Sequence, residues 1–202
     1  RGAGRHPLPG HPSRSDMRII SGKYGRRRFE VPRTFKARPT TDMAKENLFN
    51  ILANYVDWEE SDALDLFAGT GSLGFEMLSR GARSVTAIER DEAHAAFIRQ
   101  TAETLGDPGY KVIHYDVLKW LRRLAAKDPS EVPSYQVIVA DPPYDLAQLP
   151  DLPQLIREAH ILAPGGLYVQ EHPKEVDFSG DPDFVEMRHY GAVHFSFFKT
   201  ED

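Results

Sequence analysis

The chain has 202 residues, of which 41% are hydrophobic and 27% are charged, which is typical of one globular domain and not of a disordered chain. Cysteine is absent, which excludes disulfides, thiolate metal sites and cysteine nucleophiles and favours a reducing, cytoplasmic location. No run of residues is apolar enough to span a membrane, and the first residues lack the apolar core of a secretory signal, so we expect no membrane partner.

Charge is distributed unevenly along the chain. The formal net charge is -5, yet residues 1–45 contain twelve Lys/Arg and three Asp/Glu, a net charge of +9, whereas residues 46–202 contain thirteen and twenty-seven, a net charge of -14. A basic segment attached to an acidic body predicts that the N-terminal part contacts a polyanion such as a nucleic acid. The alternative is a solvated charged surface without a partner.

The first forty residues divide into two predicted segments. Residues 1–16 contain three Pro and three Gly but few residues that could pack, so we interpret them as a disordered arm or an expression remnant. Residues 17–40 predict a small basic β-hairpin, in which two short strands between Arg18 and Val31 flank a glycine-containing turn. The main domain is then expected to comprise residues 41–202.

The main domain alternates helical and strand patterns. A turn at residues 38–41 supplies an N-cap for a first helix. Apolar runs predict five strands at 63–67, 84–89, 110–116, 135–141 and 166–171, and helical segments separate them at 72–80, 91–105, 117–126 and 146–162. Runs that are apolar on both faces, such as 137–140, are typical of a parallel sheet covered by helices on each side.

The last two strand patterns have no room for a crossover helix between them. Residues 184–190 and 192–199 meet at Gly191, so we expect them to pair as an antiparallel hairpin. The sequence therefore predicts an α/β fold with a doubly wound, mostly parallel seven-stranded sheet, an antiparallel C-terminal hairpin and a small N-terminal basic β-hairpin.

Carboxylates lie in or at the end of four predicted strands, at Asp65, Glu89, Asp116 and Asp141. Ligands of a doubly wound sheet bind outside the carboxyl ends of the strands, so these four acids are predicted to face one crevice. The alternative is that each acid is an ordinary helix N-cap.

A glycine-rich loop follows the first of these strands. Gly69, Gly71 and Gly74 match the spacing of a dinucleotide site, with Glu89 twenty residues after Gly69, so a nicotinamide oxidoreductase is one alternative. Asp65, however, would crowd a pyrophosphate, whereas it suits the cationic amino-acid end of S-adenosylmethionine.

The other acids near this loop are also suited to bind S-adenosylmethionine. Glu89 can accept hydrogen bonds from both ribose hydroxyls, and Asp116 with the Val117 amide can bind the adenine edge. We therefore predict cofactor binding by a set of residues that follow the strand ends, namely Asp65, Phe67, Gly69, Gly71, Glu89, Arg90, Asp116 and Val117.

The fourth strand ends in the predicted catalytic turn, which consists of Asp141, Pro142, Pro143 and Tyr144. The prolines stiffen the turn and remove two backbone donors. If the Asp141 side chain and the Pro142 carbonyl each accept one N–H from an exocyclic base amine, the nitrogen lone pair is directed at a methyl donor. Tyr144 would then stack on the extruded base. When this motif is considered alone, the alternative to a catalytic turn is a rigid loop without a role in catalysis.

The two motifs together, residues 65–71 and 141–144, are similar to those of class I S-adenosylmethionine-dependent amino-methyltransferases. Residues 18–22, 26–28 and 38–42 closely resemble the bacterial 16S ribosomal RNA guanine-N2 methyltransferase family. This resemblance implies a Rossmann-like methyltransferase domain over residues 41–202 and methylation of one guanine N2 in 16S rRNA on 30S particles. It also implies S-adenosylhomocysteine as the product.

Within this resemblance the basic segment is predicted to bind RNA. The expected RNA-binding residues are Arg18, Lys23, Arg26, Arg27, Arg28, Arg38 and Thr40, because cations neutralise phosphates and Tyr24 and Phe29 offer stacking faces among them. Arg38 is the strongest single candidate, since Pro39 fixes the chain around it. Ser21, Met43 and Lys45 depart from the family pattern, which puts only some RNA contacts in doubt.

Other functions stay open at this point. An N6-adenine methyltransferase could use the same turn, but we would expect a separate target-recognition domain for which the chain has no space. A third alternative to methylation of guanine is a non-catalytic RNA-binding module. The eight histidines show no ligand spacing, so we predict no metal, and we expect a monomer. Glu171 is expected to border the substrate pocket.

Overall fold

The computed structural model of the chain describes residues 16–36 and 40–201. The predicted arm therefore lies outside the described residues except for Asp16, and so do Arg38 and Pro39. Among the residues described, no helix is both long and apolar enough to cross a bilayer.

Residues 16–36 and 40–201 contain nine strands and five α-helices. The N-terminal segment contains β1 (Asp16–Arg18) and β2 (Arg28–Glu30). The elements after it are α1 (Asp42–Leu52), β3 (Asp62–Leu66), α2 (Ser72–Ser79), β4 (Ser84–Glu89), α3 (Glu92–Leu105), β5 (Tyr110–His114), α4 (Val117–Ala125), β6 (Tyr135–Ala140), α5 (Leu152–Ala159), β7 (Leu162–His172), β8 (Phe184–Tyr190) and β9 (Val193–Lys199). Short 3-10 helices occupy Trp58–Glu60, Pro129–Glu131 and Leu149–Asp151.

Seven strands form the main sheet in the order β5-β4-β3-β6-β7-β9-β8. The pairs β4–β5, β3–β4, β3–β6 and β6–β7 are parallel, whereas β7–β9 and β8–β9 are antiparallel. The predicted α/β fold with an antiparallel C-terminal hairpin is confirmed. The hairpin joins the sheet through its second strand, so that β9 lies between β7 and β8.

Helices cover both faces of the sheet because the central strands are apolar on both sides. Val137 and Val139 of β6 pack into a core with α1, α2 and α3, whereas Ile138 and Ala140 pack into a second core with α4 and α5. This alternation explains why the run 137–140 is hydrophobic throughout. The doubly wound arrangement positions ligand-binding loops where the strand order reverses, between β3 and β6.

The largest difference from the predicted elements lies before and within β7. The expected helix at 146–162 is divided into the 3-10 turn and α5, each with a proline in its first turn, where the missing N–H costs nothing. The strand expected at 166–171 begins at Leu162, and a register shift between Tyr135 and Val137 of β6 accommodates the extra residues.

The N-terminal segment contains the predicted pair of antiparallel strands but not the tight turn expected between them. β1 and β2 pair antiparallel over three residues each, but the nine residues between them pack on α2 instead of forming a tight turn. The Ile20 and Ser21 amides donate to the Glu76 carboxylate, and the Lys23 amide donates to the Ser79 carbonyl at 2.8 Å. The segment therefore takes its shape from the main domain.

Gly22 permits the close approach of this segment to α2. Its φ is +89°, and a Cβ at this position would lie 2.0 Å from the Ser79 carbonyl oxygen. Gly22→Ala is therefore expected to lower the free energy of unfolding by about 2 kcal/mol or more, measured by urea denaturation. Gly180→Ala is the matched control, because a Cβ there meets no atom within 4 Å; equal losses in both variants would refute this account.

Candidate active site

A cleft of about 1400 Å³ opens at the carboxyl ends of the parallel strands. It is lined by four acids from four different strand ends, Asp65, Glu89, Asp116 and Asp141. The predicted shared crevice is therefore present, and the glycine loop and the catalytic turn both open onto it. The volume exceeds the roughly 300–1000 Å³ of a typical small-molecule pocket, which leaves space for a cofactor and a base together.

The glycine loop has an unusual backbone. Phe67, Gly69 and Gly71 all have positive φ, at 58°, 58° and 79°. A positive φ at Phe67 is strained, and such strain concentrates at ligand-binding loops. Gly71 is the N-cap of α2, and it does not line the cleft, although its neighbours Thr70 and Ser72 do. Phe67 and Gly69 line the cleft themselves.

Glu89 holds the glycine loop from the neighbouring strand. One carboxylate oxygen accepts from the Gly69 amide at 2.9 Å, and the other accepts from the Asp91 amide at 2.8 Å. Each oxygen keeps a second lone pair for a ligand. Glu89 can therefore fix the loop and bind hydroxyl groups in the cleft at the same time.

Asp65 is buried at the bottom of the cleft. Its carboxylate accepts from the Gly74 amide at 3.0 Å, which ties β3 to the first turn of α2. Burial raises the pKa of Asp65 well above its usual range, and the nearby charges of Asp141 and Glu89 add to this rise. A cationic ligand group beside Asp65 would offset that burial cost, which matches the chemistry predicted for this position.

The loop after β5 contributes the third part of the site. Asp116 is the N-cap of α4, where its side chain accepts from the Lys119 amide at 3.0 Å, and one carboxylate oxygen is not used by this bond. Val117 is buried, and both residues line the cleft together with Arg90. The N-cap interpretation and the ligand-binding interpretation of Asp116 are therefore compatible.

The catalytic turn follows β6. The Asp141 amide donates to the Leu66 carbonyl of β3 at 3.3 Å, which anchors the turn beside the glycine loop. Asp141, Pro142, Pro143 and Tyr144 all line the cleft, and Tyr144 is an exposed aromatic side chain, 48% accessible. Burial raises the pKa of Tyr144, with Glu171 and Asp141 contributing, so its hydroxyl stays protonated at neutral pH.

Glu171, expected at the border of the pocket, lies next to the catalytic turn in β7. Glu171 is not among the described residues that line the cleft, but the pairing of Ala140 with Gln170 places it beside Asp141. Burial, together with the neighbouring Asp141, raises the pKa of Glu171 to about 10, and burial also raises the pKa of Asp141. Burial therefore favours the neutral form of both carboxyl groups more than it would for an exposed acid.

Sequence reasoning missed part of the cleft lining. Lys36 and His94 both line it, and the His94 ring lies 4.4 Å from the Phe35 ring. Thr40, predicted to bind RNA, also lines the cleft. In the sequence, His94 is marked only by its position three residues after the helix N-cap Asp91. That pattern is too common to predict a place in a ligand site.

The predicted RNA-binding residues that the structure describes lie in the N-terminal segment. Arg18 forms an ion pair with Asp42 at 2.8 Å, and Lys23 forms one with Asp107 at 3.1 Å. Arg26, Arg27 and Arg28 are exposed, and the Arg27 guanidinium lies over the Phe29 ring. Arg26, Arg27 and Arg28 therefore present their charges to solvent, whereas the charges of Arg18 and Lys23 are paired with acids.

Lys45 does not belong to this surface. Only 1% of its side chain is exposed, and its ammonium group donates to the Arg18 carbonyl and to Ser72 Oγ and lies 3.5 Å from Glu76. Lys45, noted in the sequence as a departure from the family pattern, is therefore removed from solvent by burial and by its internal partners. Met43, in contrast, is 65% exposed.

No metal site is visible in the part of the chain that the structure describes. Over residues 16–36 and 40–201, no group of three or more His, Cys, Asp or Glu side chains is arranged to hold a metal ion.

Comparison with known proteins identifies the family. The family described as Conserved hypothetical protein 95 matches residues 17–199. The chain is 35% identical over 165 residues to ribosomal RNA small subunit methyltransferase D of Haemophilus influenzae, an alignment that covers 81% of this chain and 82% of the relative. The chain belongs to the Conserved hypothetical protein 95 family. The resemblance to small-subunit ribosomal RNA methyltransferases noted in the sequence is confirmed.

Solved structures of family members and more distant proteins share the fold. The Escherichia coli protein yhhF is 28% identical, with a TM-score of 0.78 over 92% of this chain and 98% of that chain. The Thermus thermophilus 16S rRNA N2 G1207 methyltransferase RsmC, solved with AdoMet and guanosine, has a TM-score of 0.68 at 20% identity, over 97% of this chain and 52% of that chain. This second likeness concerns the fold alone.

Proposed function

We propose that the protein transfers the methyl group of S-adenosylmethionine to the N2 amine of a guanine in 16S rRNA, within 30S particles. The observation that carries the proposal is the shared cleft, onto which the glycine loop and the turn from Asp141 to Tyr144 both open. The name of the Haemophilus influenzae relative supports ribosomal RNA as the substrate class. The guanine N2 assignment is supported by the resemblance of residues 18–22, 26–28 and 38–42 to the guanine-N2 methyltransferase family.

The donor set of the cleft fits S-adenosylmethionine. When bound, this cofactor supplies an electrophilic methyl group on a positively charged sulfur. Asp65 would hold the ammonium group, Glu89 the ribose hydroxyls, and Asp116 with the Val117 amide the adenine edge. The remaining proposed cofactor contacts come from the loops after β3 and β4, at Phe67, Gly69, Gly71 and Arg90.

The catalytic turn is proposed to activate the amine by position. The lone pair of guanine N2 is delocalised into the ring, which makes the nitrogen a poor nucleophile. Hydrogen bonds from its two N–H groups to the Asp141 carboxylate and the Pro142 carbonyl would direct the lone pair out of the ring plane. Pro143 keeps the turn rigid, and the exposed Tyr144 ring would stack on the base once it leaves the RNA.

A nucleoside-resolved methylation assay tests the proposal. The protein is incubated with labelled S-adenosylmethionine and with free 16S rRNA, 30S particles from a strain lacking the methylation, or DNA, and each nucleic acid is digested to nucleosides. We expect labelled N2-methylguanosine from the 30S particles. Labelled N6-methyladenosine as the only product would instead identify an adenine enzyme. Titration calorimetry with S-adenosylhomocysteine and with NAD separates a methyltransferase from an oxidoreductase.

The exposed arginines of the N-terminal segment, together with Arg18, Lys23, Arg38 and Thr40, are proposed to bind RNA. Replacing Arg26, Arg27 and Arg28 together by Ala is expected to weaken RNA binding about ten-fold or more. The slope of log affinity against log salt concentration should become less steep by about two to three. Filter binding at several salt concentrations measures both effects.

A matched control for this charge removal lies on the opposite side of the sheet. Arg122, Arg123 and Lys127, in and just after α4, are also exposed, so their replacement by Ala removes the same charge without touching the N-terminal segment. Equal losses of affinity in the two triple variants would show that overall charge, and not this segment, determines RNA binding. Affinity for S-adenosylhomocysteine should be unchanged in both.

A further inference from the structure

Tyr110 contacts the glycine loop from inside the protein. It is the first residue of β5, it is buried, and it pairs with Val85 of β4. Its hydroxyl donates to the Gly71 carbonyl at 3.3 Å, and this hydrogen bond is buried. Its ring packs on the Phe75 ring of α2, with 4.3 Å between the two centroids. Tyr110 is not among the described residues that line the cleft, so it contacts the loop without facing the ligand space.

Two of the three glycines in this loop lie against the Tyr110 side chain. A Cβ at Gly71 would lie 2.9 Å from the Tyr110 hydroxyl oxygen, and a Cβ at Gly74 would lie 2.3 Å from it. The three atoms that a Cβ at Gly74 would meet first all belong to Tyr110. Gly69 lines the cleft, whereas Gly71 and Gly74 are not among its described lining residues. The close approach of Tyr110 therefore accounts for glycine at position 74 and contributes to it at position 71, where φ is also +79°.

The glycine loop depends on support from other parts of the chain. Phe67 has a positive φ, and residues in such a conformation persist only where the surrounding structure fixes them. The Gly71 carbonyl accepts from the Phe75 amide at 2.9 Å and from the Tyr110 hydroxyl, so both of its lone pairs are used. Burial raises the pKa of Tyr110 well above its usual range, so the hydroxyl stays a donor at neutral pH. Tyr110 thus links the loop and the start of α2 to β5.

We propose that Tyr110 is a positioning residue for the methyl donor, because its hydrogen bond to Gly71 keeps the glycine loop in the conformation that binds S-adenosylmethionine. A loop that adopts its binding conformation only part of the time binds the ligand more weakly by that fraction. This inference rests on the proposed function, since it concerns the cofactor of the same methyl transfer. It also assigns Gly74 to the packing of a tyrosine and not to contact with a ligand.

Removal of a single hydroxyl group tests the role of Tyr110. Tyr110→Phe keeps the ring that packs on Phe75 and loses only the donor. We expect the dissociation constant for S-adenosylhomocysteine, measured by titration calorimetry, to rise about five-fold, as for the loss of one hydrogen bond. With 30S particles as substrate, KM for S-adenosylmethionine should rise by a similar factor. The value of kcat at saturating cofactor should stay within about two-fold, because the catalytic turn is unchanged.

Tyr168→Phe is the matched control. Tyr168 is also buried, and its hydroxyl donates to Gln170 Oε1 at 2.7 Å, but it packs in the second core and is not among the described residues of the cleft. Thermal unfolding reports the change in stability of each variant, and only Tyr110→Phe should bind S-adenosylhomocysteine more weakly. Unchanged affinity in Tyr110→Phe, an equal loss in Tyr168→Phe, or a lower kcat without a higher KM would each overturn the inference.

A second pair of variants tests whether Gly74 accommodates Tyr110 or the ligand. Gly74→Ala places a Cβ against the Tyr110 ring and is expected to weaken the binding of S-adenosylhomocysteine about ten-fold or more. In combination with Tyr110→Leu, which removes the ring, the same substitution should have little further effect on affinity. Equal effects of Gly74→Ala with and without the ring would show that the ligand itself needs this glycine, and they would contradict the inference. If Tyr110→Leu does not fold, Tyr110→Phe alone decides.

Failure of the proposed function has a different outcome. A protein that binds S-adenosylhomocysteine but forms no N2-methylguanosine in any RNA would contradict the proposed function, and calorimetry on Tyr110→Phe would still decide the role of Tyr110. A protein that methylates guanine and binds S-adenosylhomocysteine equally well with Tyr or Phe at position 110 would contradict only the inference.

Discussion

Asp141→Ala is expected to reduce methyl transfer to guanine by about 1000-fold while leaving the affinity for S-adenosylhomocysteine within about three-fold of its original value. Asp141 is the one carboxylate on the catalytic turn that lines the cleft beside both Pro142 and Tyr144. Its loss removes the acceptor proposed for the amine, whereas the cofactor contacts proposed for Asp65, Glu89 and Asp116 remain. The effect should therefore appear in kcat and not in cofactor binding.

The same substitution should not reduce stability. Burial raises the pKa of Asp141, so the carboxylate is held in the fold at an energetic cost that Asp141→Ala removes. The melting temperature is expected to stay the same or to rise. Incorporation of labelled methyl groups, calorimetry and thermal unfolding check the three statements, with Glu158→Ala as an exposed control. Full methyl transfer by Asp141→Ala would contradict the role proposed for this carboxylate, whereas the non-catalytic RNA-binding alternative predicts that the variant keeps the cellular role of the protein.

Glu76→Ala is expected to have the largest effect on stability, a loss of about 3–5 kcal/mol in the free energy of unfolding. The Glu76 side chain is completely buried in α2 and accepts from the Ile20 and Ser21 amides and from Arg80. Its carboxylate also lies 3.5 Å from the ammonium group of Lys45. Alanine would leave two amides and a buried lysine without their anionic partner, and the N-terminal segment would lose its main attachment.

A double-mutant cycle separates the charge pair from the amide contacts. Lys45→Met removes the buried ammonium group, whose pKa burial already lowers, and the combined variant with Glu76→Ala no longer contains an uncompensated lysine. We expect the combined loss of stability, measured by urea denaturation, to be smaller than the sum of the two single losses. Strict additivity would show that the pair is not coupled. Glu103→Ala, exposed on α3, provides the control.

Local sequence determined the elements and the kind of chemistry. β4 occupies Ser84–Glu89 as expected and α3 ends before Gly106, because hydrophobic periodicity and capping residues act over a few neighbouring positions. The acids at the strand ends could be assigned to one crevice for a similar reason. Once the sheet is known to be parallel, its connectivity places every carboxyl end on the same edge.

Tertiary structure alone decided how distant residues pair. The sequence does not reveal that β9 lies between β7 and β8, that Lys45 points into the core, or that Glu171 lies beside Asp141. Each of these depends on strand order, on register or on the segment that happens to cover a side chain. Burial and hydrogen-bond partners are set by contacts between residues far apart in the chain, and those contacts exist only after the sheet and its helices have packed together.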